Sequence, residues 1–452
     1  MSGFTTSSGE VWRRQVQLGQ ESVPGSAVSA SRIAYADDFQ AKKDLKPTVH
    51  KFTTGTRDNV RAVTFGPSVA TGTAKMPVSA DEMLEWLGMT LQGGVTPTTP
   101  SGATNARLWS FQPSTTLDSA TVEYFDGSNA KRLLGTRCDQ MHITGSTNGD
   151  NTATFSLFAT DRDDTFTTLT PSLTSRTPTF ELGWQTRMYI DTFGTTPGTT
   201  MIPDALLNWD IKFAGNLGRV FTAANTQTAR AISQGELDIT AKLTLAGQSA
   251  TAASELANWL NHTARIIRLE FGHNVNIDAG TNAVQTLSIS GAPTGGTFTL
   301  TFWGFTTAPI AYNATAAAVQ SALQALPSVG TGNVTCTGGP LPGSSVIITF
   351  GGSLSSMVLP LITANSGGLT GGTSPTASVA ATTAGADFTR KVMIDLPGVW
   401  VTPDLDQTDN SAGAGSAIRA YAFNLQYQYD TTNGYGMRVQ CQSRRTALYS
   451  AT

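Results

Sequence analysis

Charge is scarce in this sequence. Of its 452 residues, 13% are Asp, Glu, Lys or Arg, against about 25% in an average soluble chain. The formal net charge is -3, and no block of five or six like charges occurs. The whole-chain balance therefore offers no electrostatic grip on nucleic acid or on an anionic membrane. Cysteine is sparse too. Cys138, Cys336 and Cys441 are odd in number and far apart, which argues against a disulfide framework and for single thiols in or near cores. No run reaches the ~18 apolar residues of a membrane span. The opening Met-Ser-Gly-Phe-Thr-Thr has no basic n-region and no apolar h-region. The expectation is a protein made in a cytoplasm and not exported by the usual route.

Catalytic signatures are also missing. His50, His142, His262 and His273 stand apart, with no H-E-x-x-H or C-x-x-C spacing around them. No phosphate-binding loop and no nucleophile elbow is present. Asp161, Asp163 and Asp164 cluster in a polar loop, but without the full spacing of a calcium loop. A glycan-degrading enzyme would need a carboxylate pair, and none stands out. The expectation is a non-enzyme, with no cofactor and no metal.

What the chain does hold is turn-forming and strand-forming material. There are 45 glycines, and Thr, Ser and Ala abound between alternating apolar runs, a pattern of β-rich structure rather than disorder. Leu207, Trp209, Ile211 and Phe213 alternate with polar residues, as do Leu237, Ile239, Ala241, Leu243 and Leu245, and Tyr421, Phe423, Leu425, Tyr427 and Tyr429. Such strands bury one face and wet the other, as antiparallel sheets do. The length suits two or three domains.

Residues 279–386, a run of 108 between Asp278 and Asp387, contain no Asp, Glu, Lys, Arg or His. That composition shift marks an inserted domain. Strand periods run through it at 284–289, 298–302, 346–350 and 358–362. One helix is expected over 315–326, with Val319, Leu323 and Leu326 on one face and Pro327 ending it.

The remainder reads as a duplication. Glu82-Met83-Leu84-Glu85-Trp86-Leu87-Gly88-Met89-Thr90 and Glu255-Leu256-Ala257-Asn258-Trp259-Leu260-Asn261-His262-Thr263 share E-x-x-x-W-L-x-x-T at an offset of 173. Ser79 with Glu82 predicts a capping box at the first helix, and Thr251 an N-cap at the second. Thr147-Asn148-Gly149 and Thr432-Asn433-Gly434 are hairpin signals at an offset of 285. The difference, 112, is close to the length of the uncharged run. The fold class expected is β-rich α+β: two similar antiparallel sheet-plus-helix domains and an inserted Ig-like or β-sandwich-type domain. The divisions are 1–160 with an N-terminal arm, 161–203 as a linker or stacking arm, 204–278, the insert 279–386, and 387–452.

The segment Val16-Gln17-Leu18-Gly19-Gln20-Glu21-Ser22-Val23-Pro24-Gly25-Ser26-Ala27-Val28 resembles the start of siphophage tail tube (major tail) proteins, which tend to read G-x-E-x-x-x-G-[ST]-A. The later order of arm, hairpin, E-x-x-x-W-L helix and further hairpin strands resembles that family as well. Gly295-Gly296-Thr297-Phe298-Thr299-Leu300-Thr301-Phe302, with 312–320 and 332–335, resembles a module that recurs in phage virion proteins and implies a surface decoration. The tail-tube resemblance implies two tail-tube domains whose strands join an inter-subunit β-barrel in stacked six-fold rings, with double-stranded DNA passing through the lumen. If each chain carries two such domains, three chains close a ring, a homotrimer with pseudo-six-fold symmetry; single-domain chains would need six. Tape measure, tail tip or distal tail, and tail terminator proteins are the implied partners. The virion tail, assembled in host cytoplasm, is the implied location.

A neutral or mildly acidic lumen would let DNA slide. Asp58, Glu123, Asp210, Glu236 and Asp238, with Lys75 and Lys242 among them, are the channel-lining candidates on the wet strand faces. Residues 29–54 and 162–203 are long polar stretches and candidates for arms between rings. A competing expectation is a minor tail or receptor-binding virion protein with a carbohydrate-binding insert. That would need exposed aromatics, whereas most of Phe298, Phe302, Trp303, Phe305, Tyr312 and Phe350 fit core strand positions.

Overall fold

A computed structural model describes residues 14–53, 60–202, 205–223, 228–247, 249–403, 408–411 and 417–450. The chain is β-rich, with few helices and several antiparallel sheets. Its first part runs β1 (Gln15–Gln20), β2 (Arg32–Ala34), β3 (Asp38–Asp44), β4 (Pro47–Lys51), β5 (Val60–Phe65), β6 (Val69–Pro77), α1 (Leu84–Thr90), β7 (Arg107–Phe111), β8 (Ala120–Phe125), β9 (Ala130–Ser146), β10 (Thr152–Ala159) and β11 (Asp161–Asp163). There follow β12 (Arg187–Thr192), β13 (Met201–Ile202), β14 (Leu206–Ala214), β15 (Gly218–Val220), β16 (Ala231–Ser233), β17 (Asp238–Ala246), α2 (Ala250–Leu260) and β18 (Arg265–Asn276).

The uncharged stretch supplies β19 (Val284–Ser290), β20 (Gly295–Phe302), β21 (Phe305–Thr306), β22 (Ile310–Ala311), α3 (Ala316–Gln324), β23 (Val334–Gly338), β24 (Val346–Phe350), β25 (Thr363–Asn365), β26 (Leu369–Thr370) and β27 (Thr376–Thr383). The chain then returns through β28 (Thr389–Trp400), β29 (Thr408–Ser411), β30 (Ala417–Tyr427) and β31 (Arg438–Ser443).

The pairing scheme occurs twice. β1 pairs β2 and β8, as β12 pairs β13 and β18. β6 pairs β3 and β10, as β17 pairs β14 and β30. β9 pairs β8, β10 and β11, as β28 pairs β18, β30 and β31. Even the small hairpins correspond, β4–β5 between β3 and β6, β15–β16 between β14 and β17. β9 also pairs β14, from Asn208 opposite Ser146 to Ala214 opposite Gln140. That contact joins the quartets β3-β6-β10-β9 and β14-β17-β30-β28 into one open antiparallel sheet of eight strands.

Alternation explains which face is inside. Trp209, Ile211 and Phe213 of β14 are buried with Ile239, Leu243 and Leu245 of β17, while Lys212 and Lys242 are exposed. The helices cover this apolar face. Trp86 of α1 stacks on Phe155 at 5.8 Å, and Trp259 of α2 donates its indole N–H to the Thr402 carbonyl. Such aromatic side chains carry much of a core's burial.

Three local expectations change. Ser79 Oγ accepts weakly from Asp81 N and Glu82 N in the turn before α1, while Met83 holds the N-cap position with no side-chain cap. Glu82 turns to Arg32 and Arg176 instead of closing a capping box. At α2 the N-cap is Ser249, whose hydroxyl accepts from Ala252 N, and Thr251 lies inside the helix. The two Thr-Asn-Gly turns are not equivalent: 147–149 link β9 to β10, whereas 432–434 link β30 to β31. The pairings themselves locate the extra chain at 277–388. It fills the link between β18 and β28, whose counterpart between β8 and β9 is the turn Asp126-Gly127-Ser128-Asn129.

That extra chain has its own core. β23-β24-β19-β27 form one sheet, and β20 pairs β21, β22, β25 and β26. Phe298, Phe302 and Phe350 from both groups pack together with Val319, Leu323 and Leu326 at α3, which Thr315 caps through Ala318 N. Residues 358–362 form no strand. Pro360 cannot donate to a ladder, its carbonyl accepts from Gln285, and Val358 and Leu361 are exposed.

Candidate assembly surface

The eight-stranded sheet turns one face of polar side chains away from its buried one. Its rows are short and mostly neutral: Thr73 and Lys75 on β6, Thr154 on β10, His142 and Thr144 on β9, Asp210 and Lys212 on β14, Thr240 and Lys242 on β17, Asn424 and Gln426 on β30. Two of its cross-strand pairs join an aspartate to a lysine. Asp38 lies opposite Lys75, and Asp210 lies opposite both Lys242 and Thr144. His142 Nε2 and Asp210 Oδ1 are 2.8 Å apart. Asp38, Asp44, Asp210 and Asp238 share this face with Lys42, Lys75, Lys212 and Lys242, so it is balanced in charge rather than acidic.

The four sequence candidates among the described residues do not all share this face. Asp210 and Asp238 lie on this face, and Glu236 is exposed just before β17. Asp58 lies outside the described residues. Glu123 is a correction: it is 1% exposed, and its carboxylate accepts from Ala30 N, Thr170 N and Thr170 Oγ1. β8 is held between β1 and β9 in a second layer, which buries both of its faces. Alternation alone could not reveal that, because Ala120-Thr121-Val122-Glu123-Tyr124-Phe125 mimics a half-wet strand. Of the two candidate arms, the described parts 29–44 and 162–202 are seated on the body, whereas β4 and its partner β5 are exposed along most of their length. Arg32 is buried and β3 joins the sheet. Arg176 reaches Glu82, and β12 pairs β18 along its length.

One buried charge cluster ties helix α1 to β2 and the C-terminal segment, and a second joins β28 to β18 and β31. Glu85, 1% exposed, receives Arg445 on both oxygens, and Arg32 Nε lies 3.5 Å away. Burial alone would raise the Glu85 carboxyl; the two guanidiniums outweigh it and hold it below the ordinary range. Asp395, fully buried, takes Arg268 at 2.6 Å and Arg438 at 2.7 Å. Glu181 contrasts with both. Burial first, and then the nearby Asp81 charge, push its carboxyl up to about 8.

The aspartates that bracket the uncharged run are its roots. Asp278 accepts from the backbone N–H groups of Thr104, Asn105 and Ala106 and from the Asn105 amide, at 2.7–2.9 Å. What burial it has opposes ionisation, and these four bonds outweigh it, bringing the carboxyl down to about 2. Asp387 accepts from Thr389 and Lys391. Ile277, Phe388 and Ala106 pack between them.

No protein-family model matches the chain. A segment of 107 residues is 39% identical to part of the tail sheath protein of Mycobacterium phage Bxz1. One quarter of this chain is thus similar to a phage tail structural protein. The match covers 24% of this chain and 17% of that protein, so the chain spans a small part of its relative's length. The similarity supports a structural role in a phage tail. The strand scheme described above adds what a short segment cannot: two copies of one sheet, fused edge to edge, with one polar face.

Proposed function

We propose that this chain is a tail tube subunit, polymerising into stacked rings that form a channel for genome passage. The observation that carries this reading is the doubled pairing scheme with its β9–β14 junction. Each quartet alone would expose two open edges, an aggregation hazard. Closing a ring of such sheets pairs the edges and leaves an inner barrel lined by the polar face. With two quartets per chain, three chains supply six. The charge-balanced face suits a lumen through which DNA slides, because interspersed Asp and Lys give no run of cations for phosphates to bind. Tape measure, tail tip and tail terminator proteins are the partners this reading requires.

The match to a sheath protein has nearly the length of the insert. Its 107 residues are within one residue of the uncharged run, and we read that run as a module shared between tail proteins and displayed outside the channel. Most of its aromatics are in its own core, which favours decoration over carbohydrate binding. Negative-stain electron microscopy of the purified chain tests the proposal. Hollow tubes or rings are expected. A monomer that forms neither, even with tail-tip complexes added, would favour a receptor-binding role.

A further inference from the structure

The two small hairpins correspond residue by residue. β6 and β17 are equal in length and bury matching positions, so Val69 corresponds to Asp238. Asp44 lies opposite Val69 and Ala214 opposite Asp238, so β3 and β14 end at the same place. Two residues on, Lys46 and Asn216 both turn through the left-handed region, at φ 47° and 49°. Thr48 then lies opposite Thr64 as Gly218 lies opposite Ser233, and Val49 opposite Val63 as Arg219 lies opposite Ile232. Gly66 and Gly235 close the two hairpins at the same point. Gly66 N donates to the Lys46 carbonyl, and a Cβ at Gly235 would meet the Asn216 carbonyl.

The hairpins differ in where they lie. β15–β16 is seated on the first half of the chain, across the ends of β6 and β10. The Arg219 guanidinium hydrogen-bonds the carbonyls of Ala70 and Ala159 and lies 3.7 Å over the Phe158 ring. β4–β5 is exposed along most of its length. In the place of Arg219 it carries Val49, which with Phe52, Val60 and Val63 is about half exposed. The seat has a counterpart too. Phe158 lies opposite Thr71 and Ala159 opposite Ala70; Gln426 lies opposite Thr240. Ile239, Gln426 and Tyr427 therefore stand where the first half has Ala70, Phe158 and Ala159. Two residues beyond them Leu237 and Tyr429 are exposed. The first half meets its hairpin with an aromatic ring under a guanidinium, whereas the second offers apolar and aromatic side chains, which suit a hairpin that carries valines.

Direction identifies the partner. From its root at β14, β15–β16 reaches back over β10 and β6, toward the β3 end of the sheet. The same displacement carries β4–β5 past β3, where the sheet of one chain ends among the described residues. We infer that β4–β5 docks on a second copy of this chain, across the ends of its β17 and β30, as β15–β16 docks across β6 and β10 within one chain. This rests on the tail-tube reading for the assembly in which the contact forms, but the hairpin and its seat come from the chain's own duplication. The two surfaces differ, so the contact is head-to-tail.

The test places a photoreactive benzoylphenylalanine at Val63 in the full chain and assembles it from a mixture of unlabelled and isotope-labelled copies. After irradiation, peptide mass spectrometry should find position 63 joined to residues 237–239 or 426–429, in pairs that mix the two labels and so come from different copies. The same probe at Ile232, the counterpart of Val63, is the internal control and should mark residue 70 or residues 158–159 of its own copy. Rings or tubes in the microscope, with the control joined and position 63 joined elsewhere or to nothing, would overturn the inference and leave the tube reading standing. The mixed-label cross-link in assemblies that are neither rings nor tubes would uphold the docking and sink the tube reading. Val49→Asp with Val63→Asp gives a second readout. The melting temperature of the single chain should stay unchanged, while the concentration needed for assembly rises ~10-fold or more, because the contact would bury unpaired charge. Assembly at an unchanged concentration contradicts the inference. If these variants misfold, hydrogen exchange on the unmodified protein decides. Amides of β4 and β5 should slow by ~10-fold or more on assembly while those of β15 and β16 do not change; no slowing of β4 and β5 contradicts the inference.

Discussion

Glu85 and Arg445 show what a single residue does here. Arg445 lies two residues past the last strand, yet it neutralises a carboxylate buried in the first helix. Arg445→Met would leave that charge without its bidentate partner, and a loss of about 3–5 kcal/mol is expected, measured by urea unfolding. Glu181 acts in the opposite sense. Its folded carboxyl titrates near 8, above the ordinary 4.5, so the neutral form is the one the fold prefers. Its contribution is complete below the ordinary value and is lost as pH rises through about 8. Glu181→Gln should therefore raise the melting temperature at pH 9 and change it little at pH 4; equal shifts at both would contradict this. Neither residue was legible in the sequence. A glutamate on an amphipathic helix reads as a wet face, and only the return of the C-terminal segment across α1 buries it. Glu123 was misread for the same reason, since its strand lies in a second layer.

At the scale of elements, the sequence was most legible where the period was strict. β14, β17 and β30 fall where alternation puts them, and α3 begins at its Thr cap. The matching Trp-Leu helices did mark corresponding helices, because each follows a corresponding strand, β6 or β17. The turn match failed because Asn-Gly reports a local hairpin and says nothing of which strands it joins. Likewise Ser249 outcompetes Thr251 as a cap because the backbone leaves the strand two residues earlier. The placement of the extra chain in a hairpin link has a direct consequence. Replacing residues 277–388 with Asp-Gly-Ser-Asn, the turn that joins β8 to β9, should leave a folded chain that still assembles. Rings seen by microscopy would agree; a chain that no longer assembles would show that the insert is part of the contact.

For the whole molecule, the doubling of the sheet matters more than any one side chain. The low charge density noticed first in the sequence has a structural counterpart in the polar face, where aspartates and lysines are interspersed among threonines and asparagines. Tipping that balance should be visible. Asp210→Lys with Asp238→Lys would leave the face basic, and assembled tubes of this variant should retain DNA at low salt with an affinity that falls steeply as salt rises. Unchanged retention would show that this face does not meet DNA. The central claim is that one chain carries two of the six sheets that close a ring, and the number of chains per ring tests it most directly. Light scattering or native mass measurement on isolated rings should give three copies of the 47.4 kDa chain; six copies, or a stable monomer under every assembly condition, would contradict it.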